Sequence, residues 1–231
     1  MPASALRLVA DIGGTNARFA LADSTGSLHE LRTLGTRQHE TLLDAARSYL
    51  AQSSARPRSA CFAVAGPVHD DHVAMTNHTW SFSVSGTRQG LGLEELRVIN
   101  DFEAIAIALP ALAPGELRQI GGGSPVGGRP KVVLGPGTGL GVAQLIDTGT
   151  GFEPIATEGG HASIGPSDAA ELRILAALLH SGEDVRRETL LSGPGLERIY
   201  RILCAQGGAD SGGLHAAQIQ AHAVAGSNAI C

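Results

Sequence analysis

The chain has 231 residues, carries a formal net charge of −5, and is 43% apolar and 17% charged. That is ample chain to bury a core. The charge gives no basic surface for nucleic acid or an anionic membrane, and the composition excludes a disordered acidic chain. Glycine is abundant, at 31 residues, which suggests tight turns or backbone that approaches a ligand closely.

Lys131 is the only lysine and lies between Pro130 and Val132. A P-loop needs Gly-Lys-Ser/Thr, so that nucleotide fold is excluded. Cys61, Cys204 and Cys231 are dispersed and form no CxxC pair, which indicates neither a disulfide framework nor a zinc site. No apolar run approaches the ~20 residues of a membrane span, and Asp11 interrupts the start before a signal-peptide core develops. The expectation is a soluble, reduced, cytoplasmic protein.

In chain order, Leu6–Asp11, Ala17–Leu21 and Leu28–Leu34 read as strands joined by short turns, an antiparallel meander. Leu42, Leu43, Ala46, Tyr49 and Leu50 have helical spacing. Ser59–Ala65 and Leu96–Ile99 are further strands, the second running into Asn100-Asp101 and a helix that Pro110 stops. Strands first, then strand–helix alternation, imply a mixed sheet covered by helices. Gly121–Pro130 reads as a linker. Val132–Leu134 and Val142–Ile146 are strands around a glycine turn. Two helices come after them. One carries Leu172, Leu175, Ala176 and Leu179, with Ser167 as cap and Gly182 past its end. The other carries Leu196, Ile199, Tyr200 and Leu203, with Pro194 in its first turn. The expected division is a small α/β lobe, 1–110, and a larger α+β lobe, 111–231.

Four groups of residues could carry chemistry. Asp11-Ile12-Gly13-Gly14-Thr15 ends an apolar strand, where glycine backbone can present N–H groups to phosphate oxygens and Asp11 could hold Mg²⁺, directly or through water. An ordinary glycine hairpin would look the same. Gly135–Gly141 is a second strand–turn–strand glycine loop. The residues after it read as strand rather than helix, which disfavours a Rossmann dehydrogenase. Asn100-Asp101 sits where a strand feeds a helix, so Asp101 could accept a proton from a substrate hydroxyl. The same pair also reads as a helix N-cap. Glu158-Gly159-Gly160-His161 suits polyol hydroxyls, whereas His69-Asp70-Asp71-His72 reads as a solvated loop.

Six segments occur in a telling order: Asp11–Arg18 (DIGGTNAR), Val73–Trp80 (VAMTNHTW), Ile99–Phe102 (INDF), Leu134–Val142 (LGPGTGLGV), Glu158–His161 (EGGH) and Leu191–Leu196 (LSGPGL). Together they closely resemble bacterial glucokinases of the proteobacterial type, within the actin-like ATPase superfamily that includes the hexokinases. The resemblance implies a two-lobe, ribonuclease H-like α/β fold, incomplete at the C-terminus. It implies transfer of the ATP γ-phosphoryl to the 6-hydroxyl of glucose with Mg²⁺, feeding glycolysis. Asp101 would be the catalytic base, and Asn100, Asp101, Glu158, His161 and Glu188 would hold the sugar. Ala10, Asp11, Ile12, Gly13, Gly14 and Thr15 would form the first phosphate loop, and Gly137, Thr138 and Gly139 the second. The implied partners are glucose and ATP, with a homodimer allowed and neither nucleic acid nor membrane expected.

Ala10 stands where relatives often carry glycine. Relatives also run on through an adenosine-binding motif and a last helix that this chain lacks. That leaves an alternative expectation, a catalytically impaired or non-catalytic glucose-binding fragment. A polyphosphate-using kinase would want a more basic surface.

Overall fold

The computed structural model describes residues 6–76, 78–228 and 230. Asn77, inside the Val73–Trp80 motif, and Cys231 lie outside the described residues. The chain divides into two compact units, Met1–Leu117 and Arg118–Cys231.

The first unit is built on a five-stranded mixed sheet. Its strands are β1 (Arg7–Ile12), β2 (Asn16–Ala22), β3 (Leu28–Gly35), β4 (Ser59–Val64) and, after a short hairpin sheet, β8 (Glu95–Asn100), in the order β3-β2-β1-β4-β8. The first three form the expected antiparallel meander, while β4 runs parallel to β1 and β8 parallel to β4. Alternation along β1 and β4 buries Leu8, Ala10 and Ile12 with Ala60, Phe62 and Val64 on one face. Helix α1 (Leu42–Ala51) covers that face with Leu42, Ala45, Ala46 and Tyr49, and Thr41 caps its start by accepting from the Asp44 N–H. Phe19 stacks on Tyr49 with ring centroids 5.3 Å apart and meets Phe62 edge-on. This aromatic cluster gives the sheet a rigid base.

The hairpin sheet comprises β5 (Val68–His69), β6 (His72–Ala74) and β7 (Ser81–Ser83), followed by α2 (Val84–Gly90). Its first turn is the segment expected to be a solvated loop. Asp71 in that turn is structural. It accepts from the Ser85 N–H at 2.7 Å and from the hydroxyls of Ser83 and Ser85, anchoring the start of α2. Those donors hold its carboxyl below the usual aspartate range. Helix α3 (Asp101–Ala108) follows β8 directly, and Pro110 lies in the single 3₁₀ turn that ends it.

The second unit contains a three-stranded antiparallel sheet, β9 (Lys131–Pro136), β10 (Leu140–Asp147) and β11 (Phe152–Thr157), in the order β11-β10-β9. It repeats the meander of the first unit. Among the described residues β9 has no strand on its outer side, and Val132 and Leu134 are exposed. Ala143 and Leu145 of β10 are buried. Helices α4 (Ala169–His180), α5 (Arg187–Leu190), α6 (Gly193–Gln206) and α7 (Ala216–Ala225) complete the unit, with Tyr200, Cys204 and Ile219 clustered between α6 and α7.

Two expectations for α4 are corrected. Its cap is Asp168, which accepts from the Ala170 and Glu171 N–H groups, while Ser167 donates to the Glu171 carboxylate one residue too early to cap. Its buried residues are Leu175 and Leu178, whereas Leu172 and Leu179 are exposed. The expected stripe differs from the buried one because a helix rich in leucine and alanine has apolar residues at helical spacing on more than one face.

Candidate functional site: two polar clusters on glycine turns

In the first unit, the carboxyl ends of three parallel strands lie in one row, with Ile12 paired to Val64 and Val64 to Asn100. Ligands of open α/β sheets bind at such ends because loops and helix starts converge there. The row is stitched together by two bonds. The Ala65 N–H donates to the Ile12 carbonyl at 3.0 Å, and Asn100 Nδ2 donates to the Gly66 carbonyl at 3.1 Å. Gly66 has no room for a side chain, since a Cβ would lie 2.8 Å from the Ala74 carbonyl oxygen.

The turn Gly13-Gly14-Thr15 leaves β1 at this edge. The Gly13 N–H closes it on the Asn16 carbonyl at 2.9 Å. Buried Thr36 clamps it from outside: its N–H donates to the Thr15 carbonyl and its hydroxyl to the Gly14 carbonyl, both at 3.0 Å. Strand alternation turns Ala10 and Ile12 into the core, so only their backbone is available to a ligand. Asp11 points to the opposite, exposed face, where its carboxylate pairs at 2.7 Å with Arg18, its cross-strand neighbour.

Asn100 and Asp101 divide their work. Asn100 is the cap of α3: its Oδ1 accepts from the Phe102 and Glu103 N–H groups at 2.9 and 3.3 Å. Asp101 is therefore not needed as a cap and stands half-buried as the first residue of the helix. Burial pushes its carboxyl above the usual aspartate range. The Phe102 N–H, 2.9 Å from Oδ1, pulls it down, and the Asp11 charge pushes it up again. A carboxylate with raised proton affinity at the carboxyl end of a sheet is equipped to act as a general base.

The second unit holds the other cluster. The turn Gly137-Thr138-Gly139 joins β9 to β10 and closes with the Gly137 N–H on the Gly139 carbonyl at 2.8 Å. The Gly193 N–H, at the start of α6, donates to the Gly137 carbonyl at 2.8 Å. The Leu140 N–H donates to Glu188 Oε2 at 2.8 Å. Glu158 precedes the 3₁₀ turn that follows β11, and His161 is the last residue of that turn. His161 Nδ1 lies 3.4 Å from Glu158 Oε2, and its Nε2 lies 3.8 Å from Glu188 Oε1. Gly160 is packed so closely that a Cβ would lie 2.2 Å from the Leu140 carbonyl oxygen. Glu158 and His161, three residues apart, and the distant Glu188 thus form one partly exposed array of two carboxylates around an imidazole, set against the second glycine turn.

Each unit therefore brings its own expected residues together: Asp11, Gly13, Gly14, Thr15, Asn100 and Asp101 in the first, Gly137, Thr138, Gly139, Glu158, His161 and Glu188 in the second. Sequence reasoning missed Thr36 and Gly66. Gly66 carried a signal, the Gly-Pro that ends β4. Thr36 carried none.

Three comparisons bear on this geometry. The family model described as Glucokinase matches residues 8–231. A glucokinase of Chromobacterium violaceum is 44% identical over 232 residues, covering 100% of this chain and 67% of that protein. The crystal structure of a glucokinase from an Antarctic psychrotroph superposes with a TM-score of 0.84 at 37% identity, covering 98% of this chain and 73% of the other. A ROK-family glucokinase from Streptomyces griseus, solved with glucose and AMPPNP, shares the fold at a TM-score of 0.61 and 22% identity over 96% of this chain and 72% of its own. The chain thus spans about two thirds of the length of the Chromobacterium violaceum protein.

Proposed function

The chain belongs to the glucokinase family, and from that premise we propose that it transfers the γ-phosphoryl group of ATP to the 6-hydroxyl of glucose with Asp101 as the base. The observation that carries the assignment of the base is the half-buried Asp101 carboxyl, raised in proton affinity and relieved of capping by Asn100. Asp101 takes the proton from the 6-hydroxyl as that oxygen bonds to the γ-phosphorus. The bond from phosphorus to the β-bridging oxygen breaks, and ADP leaves with that electron pair. Proton transfer of this kind contributes about 10²–10⁴-fold.

In the second unit Glu158, His161 and Glu188 offer partners to sugar hydroxyls; in the first, the remaining Nδ2 hydrogen of Asn100 does so. Carboxylates accept and the imidazole does either, so a polyol finds both kinds of partner. With the Gly13 and Gly137 amides closed inside their own turns, the backbone of Gly14-Thr15 and, in the second unit, of Thr138-Gly139 offers N–H groups to the phosphates. Asp11 suits Mg²⁺, which takes one or two protein carboxylates beside waters and phosphate oxygens. It is exposed next to the first glycine turn, and Arg18 is the partner it would exchange. When bound, the ion neutralises charge on the transferred phosphoryl.

Among the described residues no helix is long and apolar enough to cross a membrane. The dispersed cysteines favour a cytoplasmic setting. The alternative of a glucose-binding protein without catalysis has no observation in its favour. A coupled assay for glucose 6-phosphate, run on this chain and on its Asp101→Asn variant, tests the reading. Turnover that depends on glucose, ATP and Asp101 is expected, and equal turnover in the variant would overturn the role of Asp101.

A further inference from the structure

A side chain at Gly139 would meet one neighbour, Glu188. Its backbone lies outside the left-handed region, so alanine would be free of conformational strain there. A Cβ at this position, however, would lie 2.2 Å from Glu188 Oε2 and 2.9 Å from Cδ, and no backbone atom is among its nearest neighbours. The neighbouring Gly137 has nothing within 4 Å of such a Cβ. The second glycine turn is thus cut to fit one carboxylate. That carboxylate also takes the Leu140 N–H, the amide that leads out of the turn. The other end of the turn is held by the Gly193 N–H. Both restraints come from residues 188–193, one short segment running from α5 to the start of α6.

The second oxygen of Glu188 faces elsewhere. Oε1 lies 3.8 Å from His161 Nε2, whose other nitrogen faces Glu158. One side chain therefore touches the turn assigned to phosphate and the array assigned to the sugar. Because its Oε2 occupies the Leu140 amide, the turn is left with the Thr138 and Gly139 amides to offer a phosphate oxygen. Any shift of Glu188 on sugar binding is passed to those amides through a single hydrogen bond.

We propose that Glu188 is a positioning residue for the second phosphate turn as well as a sugar partner, so that the affinities for ATP and glucose are coupled through its carboxylate. This rests on the glucokinase reading above.

The test uses four variants: Glu188→Ala, Glu188→Gln, Gly139→Ala and the Gly139→Ala/Glu188→Ala pair. Turnover gives KM for ATP and for glucose, and thermal melting gives stability. Glu188→Ala should raise KM for ATP roughly tenfold together with that for glucose, the loss of one charge-assisted hydrogen bond. Glu188→Gln keeps an acceptor for the Leu140 amide, so it should restore KM for ATP to within about twofold while KM for glucose stays raised. Gly139→Ala should raise KM for ATP and lower the melting temperature in the wild-type background. With Glu188 already truncated it should do neither, the non-additivity expected of a direct contact.

A Glu188→Ala protein whose KM for ATP is unchanged would reduce Glu188 to a sugar contact and overturn the proposal. So would Gly139→Ala effects that multiply independently of Glu188. If the parent chain made no glucose 6-phosphate, the kinase reading would fall on that result. The melting cycle would still decide whether Gly139 and Glu188 are coupled.

Discussion

The Thr36 hydroxyl donates to the Gly14 carbonyl at 3.0 Å, joining two residues 22 positions apart, and Thr36 is fully buried. The first glycine turn is thereby shaped from behind by a side chain that no ligand can reach. Thr36→Val preserves the volume and removes the donor, leaving the Gly14 carbonyl short of a partner. A loss of about 1–2 kcal/mol in denaturant unfolding is expected. KM for ATP should rise roughly three- to tenfold while KM for glucose stays within about twofold. Equal changes in both constants would show that the clamp serves the fold as a whole and not the turn.

Asp101→Asn should lower kcat by about 10² or more with little change in KM for glucose. Its effect on stability has a definite sign. Because burial raises the native carboxyl above the ordinary 3.8, the folded state binds more protons than the unfolded state between that value and the raised one. Stability therefore falls as pH rises through this window. The variant, which has no charge to bury, should melt at or slightly above the parent at pH 7. The gap should close below pH 3.8, where Asp101 is neutral in both states. A variant that melts well below the parent at pH 7 would contradict the assigned cause.

Glu158→Gln keeps the shape of the side chain and removes its charge beside His161, 3.4 Å away. Glucose affinity measured by calorimetry should weaken by roughly 1.5–3 kcal/mol, the scale of a hydrogen bond to a charged group. Unchanged affinity would remove Glu158 from the sugar site.

Gly160 and Gly137 should respond to alanine in opposite ways. At Gly160 the new Cβ meets the Leu140 carbonyl, backbone that cannot step aside. A loss of about 1–3 kcal/mol of stability is expected there. At Gly137 the space is open. Melting should be unaffected, and any penalty should appear in KM for ATP as steric interference with phosphate. Thermal shift and kinetics on the two variants separate a packing glycine from one kept open for a ligand.

Much of the candidate site was legible because its residues are chemically conspicuous. Two glycine turns after apolar strands, and a carboxylate where β8 meets α3, can be recognised from residue type and position alone. The Asn100-Asp101 pair was legible as a cap or as a base, but only the hydrogen bonds at 2.9 and 3.3 Å show that Asn100 takes the cap and leaves Asp101 over. The hairpin β5–β7 was hidden because strands of two and three residues have no measurable period. Thr36 was silent because its partners are carbonyl groups, which every residue carries. The meander of the first unit and the first two strands of the second were legible around their glycine turns, but β11, which completes the repeat, was not read, because half-exposed Phe152–Thr157 shows no clean alternation.

The edge of β9, which has no strand beside it among the described residues, bears on how this chain behaves in concentrated solution. A strand edge offers free amide and carbonyl groups to any extended peptide, and exposed Val132 and Leu134 add apolar surface to that invitation. The two ends of the strand limit it. Pro136 has no N–H to contribute to a ladder, and Lys131 sets a charge at the opening residue, its ammonium 4.9 Å above the Phe152 ring. A stacking neighbour can pair comfortably only along Val132–Gly135. The single lysine of the protein thus sits as a gatekeeper at one of its sheet edges, and neutralising it would favour fibrillar self-association over a monodisperse sample.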